Sequence, residues 1–149
     1  MARFTCTADS VAAGVDLPIV NLTGSAAIRI HLYDLVISSD DTPSDQATRY
    51  SVQTTTDVGV GGTGLANETP LDPLSVGAVG DAIKGTFTTK PTTGAILLLF
   101  SVNQRATFRW VAAPGSELMS PAAAGDGLMV NSENSTGTPG TECTMLWWE

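Results

Sequence analysis

Apolar residues recur at alternate positions along most of this chain, in short runs separated by Gly, Pro, Asn, Asp and Ser, and no long segment carries a helical period. The best-patterned run is 26–38 (AAIRIHLYDLVIS). Ala26, Ile28, Ile30 and Leu32 fall on one face, with Arg29, His31 and Tyr33 on the other. After Asp34 the pattern slips, because Leu35 and Ile37 take the formerly polar side. A β-bulge near Asp34, or a strand crossing between sheets, accounts for the slip. Residues 3–7 place Phe4 and Cys6 on one face, and residues 17–22 form a strand that Pro18 assigns to an edge or a strand start. Residues 48–55 point Tyr50 and Val52 inward, and residues 82–89 do the same with Ile83 and Phe87. Residues 128–133 and 141–148 close the set.

Residues 95–115 (AILLLFSVNQRATFRWVAAPG) read as a hairpin turning at Asn103-Gln104. Its first strand, 95–102, is apolar on both faces: Ile96, Leu98, Phe100 and Val102 point one way, and Ala95, Leu97 and Leu99 the other. Its second strand, 105–111, alternates, with Ala106, Phe108 and Trp110 opposite Arg105, Thr107 and Arg109. A strand apolar on both sides must be covered on both sides. Segments 39–45, 116–126 and 134–140 are polar or small-residue connections. Residues 56–81, rich in Gly and Pro, interrupt the strands for longer than a compact domain usually allows. Eight or nine strands at this spacing predict an all-β fold, an antiparallel β-sandwich of jelly-roll type. The chain is expected to be a single domain, 1–149, with 56–81 as a long loop or arm.

Composition sharpens this picture. Of 149 residues, 42% are hydrophobic and only 15% charged, against about 25% in ordinary soluble domains. A surface poor in charge suits an assembly component. The net charge of −8 argues against binding a phosphate backbone, so no direct nucleic-acid contact is expected. No apolar stretch is long enough for a membrane helix, so no membrane partner is expected. The opening MARFTCTADS lacks the apolar core of a signal peptide, which predicts synthesis and retention in a cytoplasm. There, Cys6 and Cys143 are expected to be free buried thiols.

Candidate chemistry is thin. GVGGTG at 59–64 matches the letters of a dinucleotide loop, but Pro70 and Pro73 follow where a helix must open, so a flexible loop is the better reading. His31 is the one histidine; a metal site usually needs more, a triad needs one correctly placed, and a lone strand histidine is generally a surface or interface residue. Asp40, Asp41 and Asp45 lack calcium-loop spacing and read as a solvated turn. The three N-x-S/T triplets, at Asn21, Asn67 and Asn134, carry no glycosylation implication without a secretory signal. No catalytic residue, metal ligand or cofactor is therefore assigned, and the chain is not expected to be an enzyme. Adjacent Trp147 and Trp148 on one strand must face opposite ways, so one packs inside while the other meets solvent, a partner or a sugar.

Five segments resemble a known family: IRIHLYDLV (28–36), TGLANETPLDPL (63–74), NQRATFRWVAAPG (103–115), LMSPAAAGDGL (118–128) and the closing LWWE (146–149). Together they resemble the capsid decoration, or cement, proteins of tailed bacteriophages, whose core is a jelly roll. That resemblance implies a structural virion protein on the capsid surface, made in the host cytoplasm, that forms a homotrimer and clamps neighbouring major capsid proteins. On this reading, the trimer contact is expected at Leu97, Leu99, Arg105, Arg109 and Trp110, with the arginines pairing acids across the axis. The capsid contact is expected at Leu65, Asn67, Pro70, Leu71 and Pro73, with the N-terminal segment second. The alternatives are another β-structured virion part (a head-fibre base, tail or receptor-binding protein) or a carbohydrate-binding module using Trp147 or Trp148.

Overall fold

The alternation in the sequence is realised as two antiparallel sheets packed face to face, in a computed structural model that describes residues 2–65 and 68–149. No helix occurs among the described residues. At the centre of the first sheet lies β12 (Gly140–Trp148), flanked by β1 (Arg3–Ala12) and β3 (His31–Asp41). The two-residue β6 (Thr69–Pro70) borders β1. The far side of β3 is shared by β9 (Phe108–Val111) and β10 (Leu118–Met119). The second sheet runs β5 (Thr63–Gly64), β7 (Asp81–Lys84), β2 (Leu17–Thr23), β11 (Gly127–Asn134), β4 (Ala47–Thr55), β8 (Thr93–Asn103). Apart from the short β5, β6 and β10, the first sheet reads β1-β12-β3-β9, and β2-β11-β4-β8 lie together in the second.

Alternate residues from the two sheets build one core. Phe4, Cys6 and Ala8 of β1, Leu32, Leu35 and Ile37 of β3, and Cys143, Met145 and Trp147 of β12 are buried on one side. Ile19, Val20, Leu22, Tyr50, Val52, Leu128 and Val130 are buried on the other. The bulge expected near Asp34 is present. Leu32 pairs Trp147 and Asp34 pairs Leu146, which leaves Tyr33 as the extra residue. Both thiols are free and buried. Burial, then the charge of Glu68, pushes Cys6 up to about 12, and burial raises Cys143 as well.

Three expectations need correction. Residues 26–30 are no strand: Ile28 N–H bonds Ser25 O at 3.1 Å in a tight turn, and β3 begins at His31. The strand expected over 82–89 ends at Lys84, because Gly85 takes a φ of +59°, and Ala82 rather than Ile83 is its buried residue. The hairpin at 95–115 does not form. Its first strand, β8, pairs with β4 in the second sheet, while β9 pairs with β3 in the first. The chain thus crosses the sandwich at Asn103-Gln104.

Packing explains the crossing. Phe100 and Phe108 stack across the gap with ring centroids 4.0 Å apart, and Tyr50 lies 5.8 Å beyond Phe100. Gln104, almost fully buried, pins the corner. Its amide oxygen accepts the Ser44 N–H at 3.0 Å, and its Nε2 donates to Thr136 O at 3.0 Å. Its backbone N–H bonds Gln46 O at 2.9 Å. Those bonds go to residues far along the chain, which a local hairpin would not engage.

The described parts of 56–81 strap the two sheets together. Val60 bridges Thr89, β5 pairs with β7, Leu65 N–H bonds Ala82 O at 2.8 Å, and β6 pairs with Phe4 and Thr5. Close contact explains three of the four glycines of GVGGTG, namely Gly59, Gly61 and Gly62. A Cβ on Gly61 would stand 2.3 Å from Thr88 Oγ1, and one on Gly62 2.3 Å from Ile83 Cγ2.

Candidate functional site

The strand whose apolar residues face both ways lies at the margin of a sheet. β8 has β4 on one side and no described strand on the other, so half of its backbone donors and acceptors are unspent. Its inner residues, Leu98, Phe100 and Val102, pack partly against the core. Its outer residues do not: Ile96 is 54% exposed, Leu97 38% and Leu99 54%. From Thr93 to Asn103 there is no charge and no proline, the usual devices that keep a sheet edge from pairing. The sequence hid one member of this patch. A register shift between Val52 and Gln53 pairs Gln53 with Ile96 and Val52 with Leu98, so Leu97 is the extra residue of a bulge. The bulge carries Ile96 to the outer face beside Leu99, and strict alternation cannot reveal that.

Beside the patch the outer face of this sheet is polar and closely bonded. Glu133 accepts hydrogen bonds from Ser51, Gln53 and Asn131, and Asn131 also donates to Asp16, which pairs with Lys90. For Asp16, burial works against ionisation, but the bonds from Lys90 and Asn131 prevail and hold the carboxyl below its usual range. The same balance lowers Glu133, where burial is outweighed by Ser51 and Asn131.

The residues expected at a trimer contact separate into two groups. Leu97 and Leu99 lie together on the uncovered face of β8, and Arg105 is exposed in the corner that follows. Trp110 faces inward from β9 and packs partly against the core. Arg109 does not reach outward for an acid. Its guanidinium grips buried Asp34 of its own chain with two bonds, Nε to Oδ1 at 3.0 Å and Nη2 to Oδ2 at 2.6 Å. An arginine already spent on a carboxylate in fork geometry has little left for a partner.

Among the residues expected at a capsid contact, Leu65 is buried in the core and cannot be offered to a partner. Asn67 lies outside the described residues. Pro70 is half-buried on β1, whereas Leu71 and Pro73 are exposed in a turn that also carries Leu74, 95% exposed, and Val76, 80% exposed. The exposed apolar surface of this segment therefore sits C-terminal to the expected centre.

A second cluster lies on the outer face of the first sheet. Arg3, Trp148, His31 and Met119 occupy one cross-strand row. Trp147 is fully buried, 5.7 Å from Phe4, and Trp148 turns outward to stack on His31 with centroids 3.5 Å apart. Burial, then the nearby charge of Arg29, lowers the His31 pKa, while Glu117 opposes the fall. Among the described residues no group of three or more His, Cys, Asp or Glu side chains converges. Asp40 instead bonds Ser10, and Asp45 accepts from Asn103 at 2.6 Å. No protein-family model, curated protein or solved structure matches the chain.

Proposed function

We propose that this chain is a structural subunit of a tailed-bacteriophage virion, a capsid decoration protein that works as a homotrimer and bridges neighbouring major capsid proteins. The observation that carries the proposal is β8, an uncharged edge strand with an uncovered apolar outer face. Covering Ile96, Leu97 and Leu99 contributes roughly 1 kcal/mol each at their present exposure. Copies with a net charge of −8 repel one another, so they associate best through a surface free of charge. Repeating that contact around a closed axis satisfies every copy.

We further read the sandwich as a jelly roll, whose two sheets interleave strands from along the whole chain. The order β1-β12-β3-β9 against β2-β11-β4-β8 supports this, since these eight strands in chain order change sheet at every step except β4 to β8. The resemblance of its sequence segments to decoration proteins supports the placement on a capsid. The exposed turn with Leu71, Pro73, Leu74 and Val76 is then the surface offered to capsid protein.

Two measurements test the proposal. Light scattering should give three times the 15.4 kDa chain mass, and a monodisperse monomer would overturn the trimer. Electron microscopy of undecorated phage heads incubated with the protein should show regular added density, which the double variant L71D/L74D should abolish without loss of the trimer. Unchanged decoration by that variant would remove the turn from the contact.

A further inference from the structure

On the outer face of the first sheet, the segment after β9 folds over the row containing Trp148 and leaves a cleft of about 300 Å³, lined by Arg3, Tyr33, Ala112, Pro114, Glu117 and Trp148. We infer that this cleft is a glycan-binding site, taking a pyranose ring against its aromatic lining and pairing the ring's hydroxyls with Arg3 and Glu117.

A sugar ring makes two demands of a protein. One face of a pyranose is a plate of C–H groups and its rim is a ring of hydroxyls. Binding it from water needs an aromatic surface for the plate and both donors and acceptors for the rim. Trp148 and Tyr33 supply the rings. The Arg3 guanidinium supplies donors and the Glu117 carboxylate supplies acceptors, all on one cleft. The Tyr33 hydroxyl and the Trp148 Nε1–H add a donor-acceptor and a donor to the same lining. The volume lies at the small end of ligand pockets and suits one or two sugar rings.

The site is also rigid before anything binds. Trp148 and Arg3 lie on paired strands, β12 and β1, and His31 from β3 stacks on the indole at an interplanar angle of 14°. The Arg3 guanidinium lies 5.9 Å from the Tyr33 ring centre. Ala112 N–H bonds Tyr33 O at 2.9 Å, tying the overhanging segment to β3, and Gly115 N–H bonds Glu117 Oε1 at 3.2 Å. Groups held in this way lose little freedom when a ligand arrives, and that conserves affinity. A strongly anionic polymer is disfavoured by the chain's net charge of −8. The inference is independent of whether the chain assembles on a capsid.

The test is a glycan array carrying hexoses and N-acetylhexosamines, followed by fluorescence titration with the best-bound oligosaccharide. Saturable binding is expected, weakened at least tenfold by Trp148→Ala and several-fold by Glu117→Gln and Arg3→Met, with the mass of the protein in solution unchanged. Arg3 and Glu117 carry few contacts, so their variants decide the matter if Trp148→Ala fails to fold. No saturable binding on the array, or binding that survives these substitutions, overturns the inference.

Discussion

Two strands of this sandwich carry similar apolar content and meet different fates. β12 lies between β1 and β3, bonded on both sides, and its residues alternate between a buried and an outward face. β8 is bonded on one side, and both of its faces are apolar. In β12 the sheet uses both backbone edges and the core takes one face of the strand. In β8 the outer leucines and the free backbone edge have no use within one copy. The contrast separates residues that the fold uses from residues that it leaves uncovered.

The contrast can be broken first at its strongest point. Trp147 is fully buried in β12, and Trp147→Ala should cost about 3–5 kcal/mol, leaving the chain largely unfolded by thermal or urea denaturation. A cooperative transition near that of the parent would show the core to be misplaced. In β8, Leu99→Asp should do the reverse. Folding of the isolated subunit should change by no more than roughly 0.5 kcal/mol, because the side chain is exposed. Self-association should nevertheless fall at least tenfold, because a charge at the contact repels its symmetry mates. If Leu99→Asp unfolds the subunit and leaves its mass in solution unchanged, the two strands do not differ in the way described.

The corner that joins β8 to the other sheet offers a finer test. Gln104→Leu removes the bonds that the buried Gln104 side chain makes to half-buried Ser44 and to Thr136 O and should cost about 1–3 kcal/mol in denaturant titrations. The smallest effect is expected in acid. Asp16 and Glu133 have pKa values lowered by folding, so their contribution is complete above the ordinary carboxylate range. It is lost as pH falls through the lowered values. Melting temperature should therefore drop below about pH 4, and Lys90→Met should make the Asp16 part of that drop smaller. A melting temperature flat from pH 6 to pH 3 would contradict it.

Local pattern carried a good part of this fold. Residues 3–7, 48–55 and 141–148 alternate because each forms part of a strand with one face on the core, and adjacent Trp147 and Trp148 had to face opposite ways. The slip at Asp34 announced its bulge for the same reason. Pairing was not legible. Asn103-Gln104 suits a hairpin turn as well as a corner, and the bonds that decide between them reach Gln46 and Thr136, far away in sequence. Arg109 looked available because its partner Asp34, on another strand, is visible only once β3 and β9 are side by side. Leu65 looked like part of an arm because Gly and Pro surround it, yet one backbone bond to Ala82 draws it into the core.

The place of β12 has a consequence in time. Its residues leave the ribosome after those of β1 and β3, yet they sit between those two strands. The first sheet cannot close until residues 140–148 have emerged, and such long-range pairing is slow in its own right. Throughout that interval the apolar edge of β8 is already synthesised and unprotected, at the stage when chains most readily stick to wrong partners. The half-built chain is therefore a stickier species than the finished one, and the order of synthesis keeps it so until β12 is in place.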